Sequence, residues 1–324
     1  MNTNSSGITK LSPITSQIAK SLPDIFRVTG IEYSISPRGN QIGMANLSHQ
    51  EADLKVMWQI KQTSALVSLG DLVEINFEKD IRSYSGMLII DGLGVLSAPS
   101  ADINLFNTVP RFWIKQPQLI KEAAQLFEVL PDYFKFLLNA ILWDSDRFQR
   151  FLNGPSSLSG HHHFIHGNLA HTLDVLNRAV SIASKTPKSN VHSLMMASWL
   201  HDMGKADEYA YNHEKQCFEM SSRGVLVGHK ITVIEWLAEA KAKWKIKIPE
   251  DVWLSLIHTL SAVKGVPDWC GFREPITPES LIVSSADRLS GQHDLIEQTA
   301  LPEGGFGKFH RHLKGRPFLL NVTT

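Results

Sequence analysis

The period of the hydrophobic pattern changes once along this chain, near Leu96, and this change most limits what the chain can fold into. Before it, five short segments are rich in β-branched or aromatic residues and partly alternate between apolar and polar: 26–34, 41–47, 53–59, 72–77 and 85–90. Turn-forming residues such as Pro37, Gly39 and Gly92 separate them. Five short strands in about 75 residues suit a small closed barrel such as an OB-fold, and a small β-sandwich fits the same pattern.

After residue 96 the apolar residues fall at helical spacing. Stripes of this kind contain Leu119, Ala123, Leu126 and Leu130, and later Leu169, Leu173, Leu176 and Val180. The second half of the chain is therefore predicted to be all-α. A length of 324 residues also favours two domains over one.

The charge balance and the cysteine content exclude several classes of protein. Lys and Arg total 32, as do Asp and Glu, so any binding to nucleic acid must come from a local patch and no membrane partner is expected. Two cysteines cannot form a disulfide framework. The first residues lack the apolar stretch of a signal peptide, and no run approaches the ~20 apolar residues that span a bilayer. We therefore expect a soluble, cytoplasmic protein.

The stretch GHHHFIHGNLAHTLDVL, residues 160–176, holds five histidines. Its place between two well-patterned segments argues against a purification tag. A solvated polar loop and the first part of a metal site remain as alternatives. We assign a metal-binding role to His171 and place His163 and His166 in a polar loop.

Further metal-ligand residue types follow His171 along the helical half, about 30 positions apart, which is one helix and its connection. The candidate ligands are His171, His201, Asp202, His229, His258 and Asp287. Such spacing can bring one ligand per helix into the interior of a bundle. Each residue alone has an ordinary alternative: His258 as a hydrogen-bonded core histidine, Asp287 as a surface partner of Arg288, and His229 as a helix N-terminal residue. Together, this nitrogen and oxygen set suits Mn, Fe, Co, Ni or Zn better than Ca.

At these residues the sequence resembles the HD-domain metal-dependent phosphohydrolase superfamily, whose two-metal members share the pattern H…HD…H…H…D. The segment FLNGPSSLSGHHHFIHGNLAHT, residues 151–172, resembles the entry to the HD domain of YhaM-type 3′–5′ exoribonucleases, in which an OB-fold precedes that domain. A triple histidine before an HD core also resembles TraI-type (MobH) conjugative relaxases. Three sites depart from the YhaM pattern: His166-Gly167 replaces Gly-Gly, His258-Thr259 replaces His-His, and Gly265-Val266-Pro267 replaces Gly-Ser-Pro. All six ligand positions are kept.

The resemblance implies a multidomain protein in which an N-terminal all-β barrel (OB-fold) precedes an all-α HD-domain bundle. The expected boundaries are a flexible arm at 1–22, the OB-fold at 23–98, a helical linker at 99–153, the HD domain at 154–300 and a basic tail at 301–324. Within the barrel, the candidates for binding a single strand are Phe26, Tyr33, Trp58 and Phe77 with Arg27, Arg38, Lys55 and Lys61. Most of these aromatic residues are better explained as core than as a surface for stacking bases. The tail carries four basic residues that could bind phosphate groups: Lys308, Arg311, Lys314 and Arg316. A solvated terminal segment explains them equally well.

The implied activity is that of a metal-dependent phosphodiesterase, a 3′–5′ exonuclease on single-stranded RNA or DNA. Two divalent ions, Mn²⁺ first and Fe, Co, Ni, Zn or Mg otherwise, would activate water. His171, His201 and Asp287 are assigned to one ion, His229 and His258 to the other, and Asp202 to both. The remaining catalytic candidates are Lys205, His161 and His162. Lys205 could contact a phosphate oxygen, and the alternative is a solvated lysine at a helix end. His161 and His162 could contact the substrate phosphate. The alternatives are an HD hydrolase of small nucleotides and a non-catalytic nucleic-acid-binding or conjugation accessory protein.

Overall fold

The computed structural model describes residues 8–10, 22–61, 66–77 and 82–320. Within this part of the chain there are two compact units, residues 1–125 and 126–324. The first unit is built on strands and the second on helices. Most of the arm expected at 1–22 lies outside the described residues; its described part includes strand β1.

The first unit is an eight-stranded sheet with the order β1-β6-β7-β4-β3-β2-β5-β8. Its strands are β1 (Ile8–Lys10), β2 (Ile25–Ile35), β3 (Gln41–Ser48), β4 (Asp53–Gln59), β5 (Leu72–Asn76), β6 (Arg82–Tyr84), β7 (Met87–Ile89) and β8 (Gly92–Val95). Strands β2, β3 and β4 form an antiparallel meander, and β5 pairs with the free side of β2. The next strands close the sheet, because β7 runs parallel to β4 while β8, two residues later, pairs antiparallel with β5.

This closure is the strand pairing of an OB-fold, as the sequence predicted. Alternating side chains of the strands point inward and form one core, in which Phe26, Val28, Leu47, Val56 and Trp58 are almost fully buried. Four predicted strands match the observed ones to within one residue at each end. The fifth, predicted at 85–90, begins later, because Ser85 and Gly86 have positive φ and form the turn before β7.

The helical unit contains most of the helices. The α-helices in the described part of the chain are α1 (Pro117–Glu128), α2 (Asp132–Leu142), α3 (Ser145–Asn153), α4 (Gly167–Ala183), α5 (Val191–Leu200), α6 (Lys205–Glu208), α7 (Ser222–Leu226), α8 (His229–Lys243), α9 (Glu250–Ser261) and α10 (Pro278–Thr299). Helix α5 lies at the centre, since all its residues from Ser193 to Leu200 are buried. Helices α4 and α10 pack against it and against each other, and α9 packs on α5 and α10.

The helical unit also carries two short antiparallel hairpins, which the helical spacing did not predict. The first joins β9 (Tyr209–Asn212) to β10 (Cys217–Met220), and the second joins β11 (Gly305–Phe306) to β12 (Phe318–Leu319). Both are too short to give a period-2 signal that stands out from a loop. Among the residues that the structure describes, no helix is both long and apolar enough to cross a membrane.

Candidate metal centre

The first predicted ligand, His171, lies in the interior of the helical unit. It is on α4 between Leu169 and Leu173, and its side chain is fully buried. Its Nε2 lies 3.1 Å from Oδ1 of Asp287 and 3.4 Å from Oδ2 of Asp202. Its Nδ1 lies 3.0 Å from the hydroxyl of Ser290. The ring is thus fixed with Nε2 directed at two carboxylates.

The His201-Asp202 pair follows directly after the last residue of α5. The Nδ1–H of His201 donates to the carbonyl of Ser198 at 2.8 Å, because a carbonyl can only accept. Its Nε2 therefore carries a lone pair, which lies 3.3 Å from Nε2 of His171 and 3.6 Å from Oδ2 of Asp202. The end of a buried apolar helix thus places an imidazole and a carboxylate side by side.

Four predicted ligands converge at this point. One ligand atom from each of His171, His201, Asp202 and Asp287 lies within 4.8 Å of all the others. The Asp287 side chain is 45% exposed, whereas the other three are mostly or fully buried. The group is therefore anchored in the core and open to solvent at Asp287.

The chemistry of these atoms fits a divalent cation. Two carboxylate oxygens and the lone pair of His201 face one another, and acceptors this close repel unless positive charge lies between them. Burial lowers the pKa of His171, but its contacts with Asp202 and Asp287 outweigh burial and raise that pKa above its ordinary value. Burial also opposes ionisation of Asp202, yet Lys205 and His201 hold its pKa well below the usual range. The arrangement and chemistry of this cluster therefore indicate divalent metal binding.

His229 approaches the same carboxylate from the other side. Its Nε2 lies 3.4 Å from Oδ1 of Asp202, whereas His171, His201 and Lys205 face Oδ2. Its Nδ1 and its backbone N–H both donate to Oε2 of Glu208, each at 2.7 Å. Since the carboxylate can only accept, the Nε2 lone pair of His229 is left facing Asp202.

His258 lies outside the group of four. It is half-buried near the end of α9, and its Nε2 accepts a hydrogen bond from the backbone N–H of Ile276 at 3.2 Å. The structure therefore brings together five of the six predicted ligands: Asp202 and four residues around it. The sixth, His258, instead bonds to the segment before α10.

Lys205 is not solvated, contrary to the alternative considered from the sequence. It is buried, and its Nζ lies 2.5 Å from Oδ2 of Asp202 and 3.3 Å from the hydroxyl of Ser156. The ammonium group is a direct neighbour of the cluster and balances part of its negative charge.

His161 and His162 pack directly against His171. Their ring centroids lie 4.8 and 5.2 Å from that of His171. Burial first, and then the positive charge of His171, lowers the pKa of each ring to about 4, so both are neutral at neutral pH. A neutral ring beside the cluster can donate to a phosphate oxygen, and it can donate to water or accept from it.

The other two histidines of the stretch differ from each other. His163 is exposed and bonds through Nδ1 to the carbonyl of Gly160. His166 was expected in a polar loop, but it is buried. It lies just before the first residue of α4 with a left-handed backbone at φ 74°, and its Nδ1 lies within hydrogen-bond distance of the carbonyl of Leu152.

Sequence reasoning missed four supporting residues. Ser290 contacts His171, Glu208 fixes His229, Ser156 contacts His161 and Lys205, and Asp294 accepts from the backbone of His162. Ser290 and Asp294 lie three and seven positions after Asp287 on α10, so helical spacing could have placed them on its face. Glu208 ends a one-turn helix and Ser156 lies in a loop, where no periodic signal exists.

The barrel residues proposed for strand binding divide into two groups. Phe26, Trp58 and Arg27 are buried, and Arg27 is not a groove cation because it donates to the carbonyl of Gly70 and the hydroxyl of Thr108. Tyr33 is exposed, and so is Lys55. The tail contacts the histidine loop, where Arg311 donates to the hydroxyl of Ser159.

The helical unit matches a known domain family. Residues 168–292 match the HD domain family, which places this part of the chain among HD domains. This domain match and the cluster of metal-ligand side chains support a metal-dependent hydrolase.

The relatives narrow the class further. The chain is 26% identical over 267 residues to a protein named 3′-5′ exoribonuclease YhaM from Bacillus licheniformis, covering 82% of each chain. The Bacillus subtilis protein of that name gives the same identity and coverage, and the one from Listeria welshimeri is 22% identical over 75% of each chain. No solved structure matches the chain. The resemblance to HD-domain proteins of the YhaM type is confirmed over most of the chain's length.

Proposed function

We propose that this protein removes nucleotides from the 3′ end of single-stranded RNA by metal-dependent hydrolysis of the phosphodiester. The observation that carries the proposal is the cluster of facing acceptors around Asp202, set in an HD domain. Lys205 already lies against Oδ2 of Asp202, and the facing acceptors suit a metal ion and the phosphate that it would bind. The names of the relatives supply the direction of cleavage and the substrate class.

In this proposal, His171, His201, Asp202 and Asp287 would hold one ion, and Asp202 and His229 would hold a second. His258 is assigned to the second ion as well, although its Nε2 accepts a hydrogen bond from Ile276 in this structure. Mn²⁺ is the expected metal, since a mixed imidazole and carboxylate set suits it. When bound, the metal would supply an activated water and neutralise charge on the phosphate.

The chain's own residues orient these groups and complete the site. Glu208 fixes which nitrogen of His229 faces inward, and the carbonyl of Ser198 does the same for His201. Lys205 holds Asp202 in place and adds a positive charge beside it. His161 and His162 are neutral at neutral pH, so they are assigned hydrogen bonds to a phosphate oxygen and not ion pairs with it.

The barrel is assigned the binding of the strand. OB-folds bind single strands through exposed aromatic rings and a basic groove. Tyr33 offers such a ring, held in place because its hydroxyl donates to and accepts from the backbone of Val67. A small nucleotide would not need this module, which argues against hydrolysis of small nucleotides.

The cellular compartment is proposed from the cysteines. Cys217 and Cys270 are both unpaired and exposed. Exposed thiols persist in a reducing compartment. We therefore assign the protein to the cytoplasm.

The experiment follows a 5′-labelled single strand with Mn²⁺, as RNA and as DNA of the same sequence. We expect a ladder that shortens from the 3′ end of the RNA, and none with Asp202→Asn, whose amide replaces one acceptor by a donor. Asp146→Asn, an exposed residue of α3, is the matched control.

Other results of this experiment would contradict the proposal. A ladder on DNA alone would show that the substrate is DNA and not RNA. A gel shift without cleavage would indicate an accessory protein. Hydrolysis of free nucleotides with intact strands would indicate a nucleotidase, and full activity of Asp202→Asn would exclude the metal mechanism.

A further inference from the structure

A second concave feature of the helical unit lies beside Lys205. It is a cavity of about 850 Å³, within the size range of small-molecule sites. Hairpin β9–β10 forms one wall, with Tyr209, Tyr211 and Phe218, and the end of α3 forms another, with Arg150 and Asn153. None of the predicted metal ligands lines it, so the cavity is distinct from the metal centre.

The hairpin wall is aromatic because of its register. Tyr211 and Phe218 are directly opposite each other in the β9–β10 pair, so their side chains are on the same face. Their ring centroids lie 5.1 Å apart, and His213 packs against Tyr211 at 5.0 Å. Tyr211 is 41% exposed, which leaves aromatic surface available to a planar ligand.

The charged residues around this cavity are already paired. Arg150 binds Asp207 with Nη2 at 2.7 Å from Oδ1, and Arg223 binds Glu235. Lys205 binds Asp202. The cavity therefore offers an aromatic surface whose surrounding charges are balanced, which suits an uncharged ring better than a phosphate group.

Lys205 belongs to both the cavity and the metal centre. Its side chain forms part of the cavity wall, while its Nζ lies 2.5 Å from Oδ2 of Asp202. A ligand in the cavity would thus touch the same lysine side chain whose ammonium group contacts the centre. A nucleotide has this arrangement, because a sugar separates its flat uncharged base from its phosphate.

We propose that this cavity is a nucleobase subsite, in which the base of the 3′-terminal nucleotide stacks on Tyr211 and Phe218 while its phosphate lies at the metal centre. This inference rests on the proposed function. Every base has a π face, so stacking holds the end of the strand without selecting a sequence. Loss of the ring is therefore expected to weaken binding of all four nucleotides.

The test measures binding, not turnover, by titrating adenosine 5′-monophosphate and ribose 5-phosphate into the purified protein by calorimetry. The two ligands share the sugar phosphate and differ by the base. We expect the nucleotide to bind about five- to 150-fold more tightly, as a stacking energy of ~1–3 kcal/mol per base requires. In Tyr211→Ala this ratio falls towards one, and Tyr211→Phe, which keeps the ring, restores it.

A matched control is Lys215→Ala at the exposed tip of the same hairpin, which should keep the wild-type ratio. An unchanged ratio in Tyr211→Ala, with the thermal midpoint preserved, overturns the subsite. Equal binding of the two ligands to the wild-type protein also overturns it, and binding of an extended peptide at this face in their place would assign the cavity to a protein partner. A base-dependent ratio without cleavage of any strand would instead contradict the proposed function and leave the subsite standing.

Discussion

At the scale of the residue, the centre depends on the two different sides of Asp202. Oδ2 faces His171, His201 and Lys205, and Oδ1 faces His229. Each histidine presents Nε2, because a neighbouring group engages Nδ1: Ser290, the carbonyl of Ser198, or Glu208. These partners determine which nitrogen can act as a ligand.

The role of Glu208 is testable by Glu208→Gln. The amide can present its NH₂ to Nδ1 and so favours the other tautomer of His229, with the proton on Nε2 facing Asp202. We expect metal affinity to fall about 10- to 100-fold, the usual effect of removing such a partner. Isothermal titration with Mn²⁺ measures this, and Glu219→Gln, on the neighbouring hairpin, is the control. Equal affinity in the two variants would contradict the orienting role.

The pKa values of His161 and His162 make stability depend on pH. Burial lowers both from 6.5 in the unfolded chain to about 4 in the native protein. Below about pH 6.5 the unfolded chain therefore binds protons that the native state does not, so the free energy of unfolding falls as pH decreases towards 4. Above pH 6.5 neither ring contributes.

Histidine ring resonances measured by NMR in metal-free buffer should show two rings that titrate near pH 4. Denaturant midpoints should fall over the same interval. Titration of both rings near 6.5 would show that they are solvated, and not packed against His171.

At the scale of the element, the ends of helices position the centre. His201 and Asp202 follow the end of α5, and His229 begins α8. These two ends meet at Gly204, where a Cβ would lie 2.2 Å from the carbonyl oxygen of His229. A side chain at this position would force the two ends apart.

Gly204→Ala is therefore expected to lower the free energy of unfolding by about 1–3 kcal/mol, the usual cost of overpacking. It should also weaken metal binding, since His229 moves away from Asp202. Chemical denaturation and Mn²⁺ titration measure the two effects. Gly92→Ala in β8, where a Cβ meets nothing within 4 Å, is the control. Wild-type stability in Gly204→Ala would show that this approach is not rigid.

At the scale of the whole molecule, the chain contains two compact units, and the metal candidates all lie in the second. The barrel has its own core around Phe26 and Trp58. A ligand stabilises the part of a protein that it binds, by ~2.7 kcal/mol at 100 times its Kd.

Saturating Mn²⁺ is accordingly expected to slow hydrogen exchange in α4 and α5 and to leave β2 to β4 unchanged. Mass spectrometry of peptides from the two units, with and without EDTA, measures this difference. Equal protection in both units would show that they unfold together, and no protection in either would exclude a structural effect of the metal.

The sequence by itself determined the order of the two units, four strands of the barrel and the helices that carry the candidate ligands. Hydrophobic period reports which face of an element is buried, and this was sufficient for β2 to β5 and for α4. The ligand series, together with its resemblance to HD domains, identified the residues around Asp202. Strands as short as β8 and β9 carry too few residues for a period, so the sequence did not indicate them.

Only the tertiary structure decided what each side chain faces. In it Lys205 points inward to Asp202, and Arg27 and His166 are buried. His258 bonds to Ile276, and Tyr211 lies beside a cavity. The physical reason is that period specifies a face of one element, whereas the partner on that face comes from another element distant in sequence. The directions of hydrogen bonds and the space between elements exist only once those elements have packed.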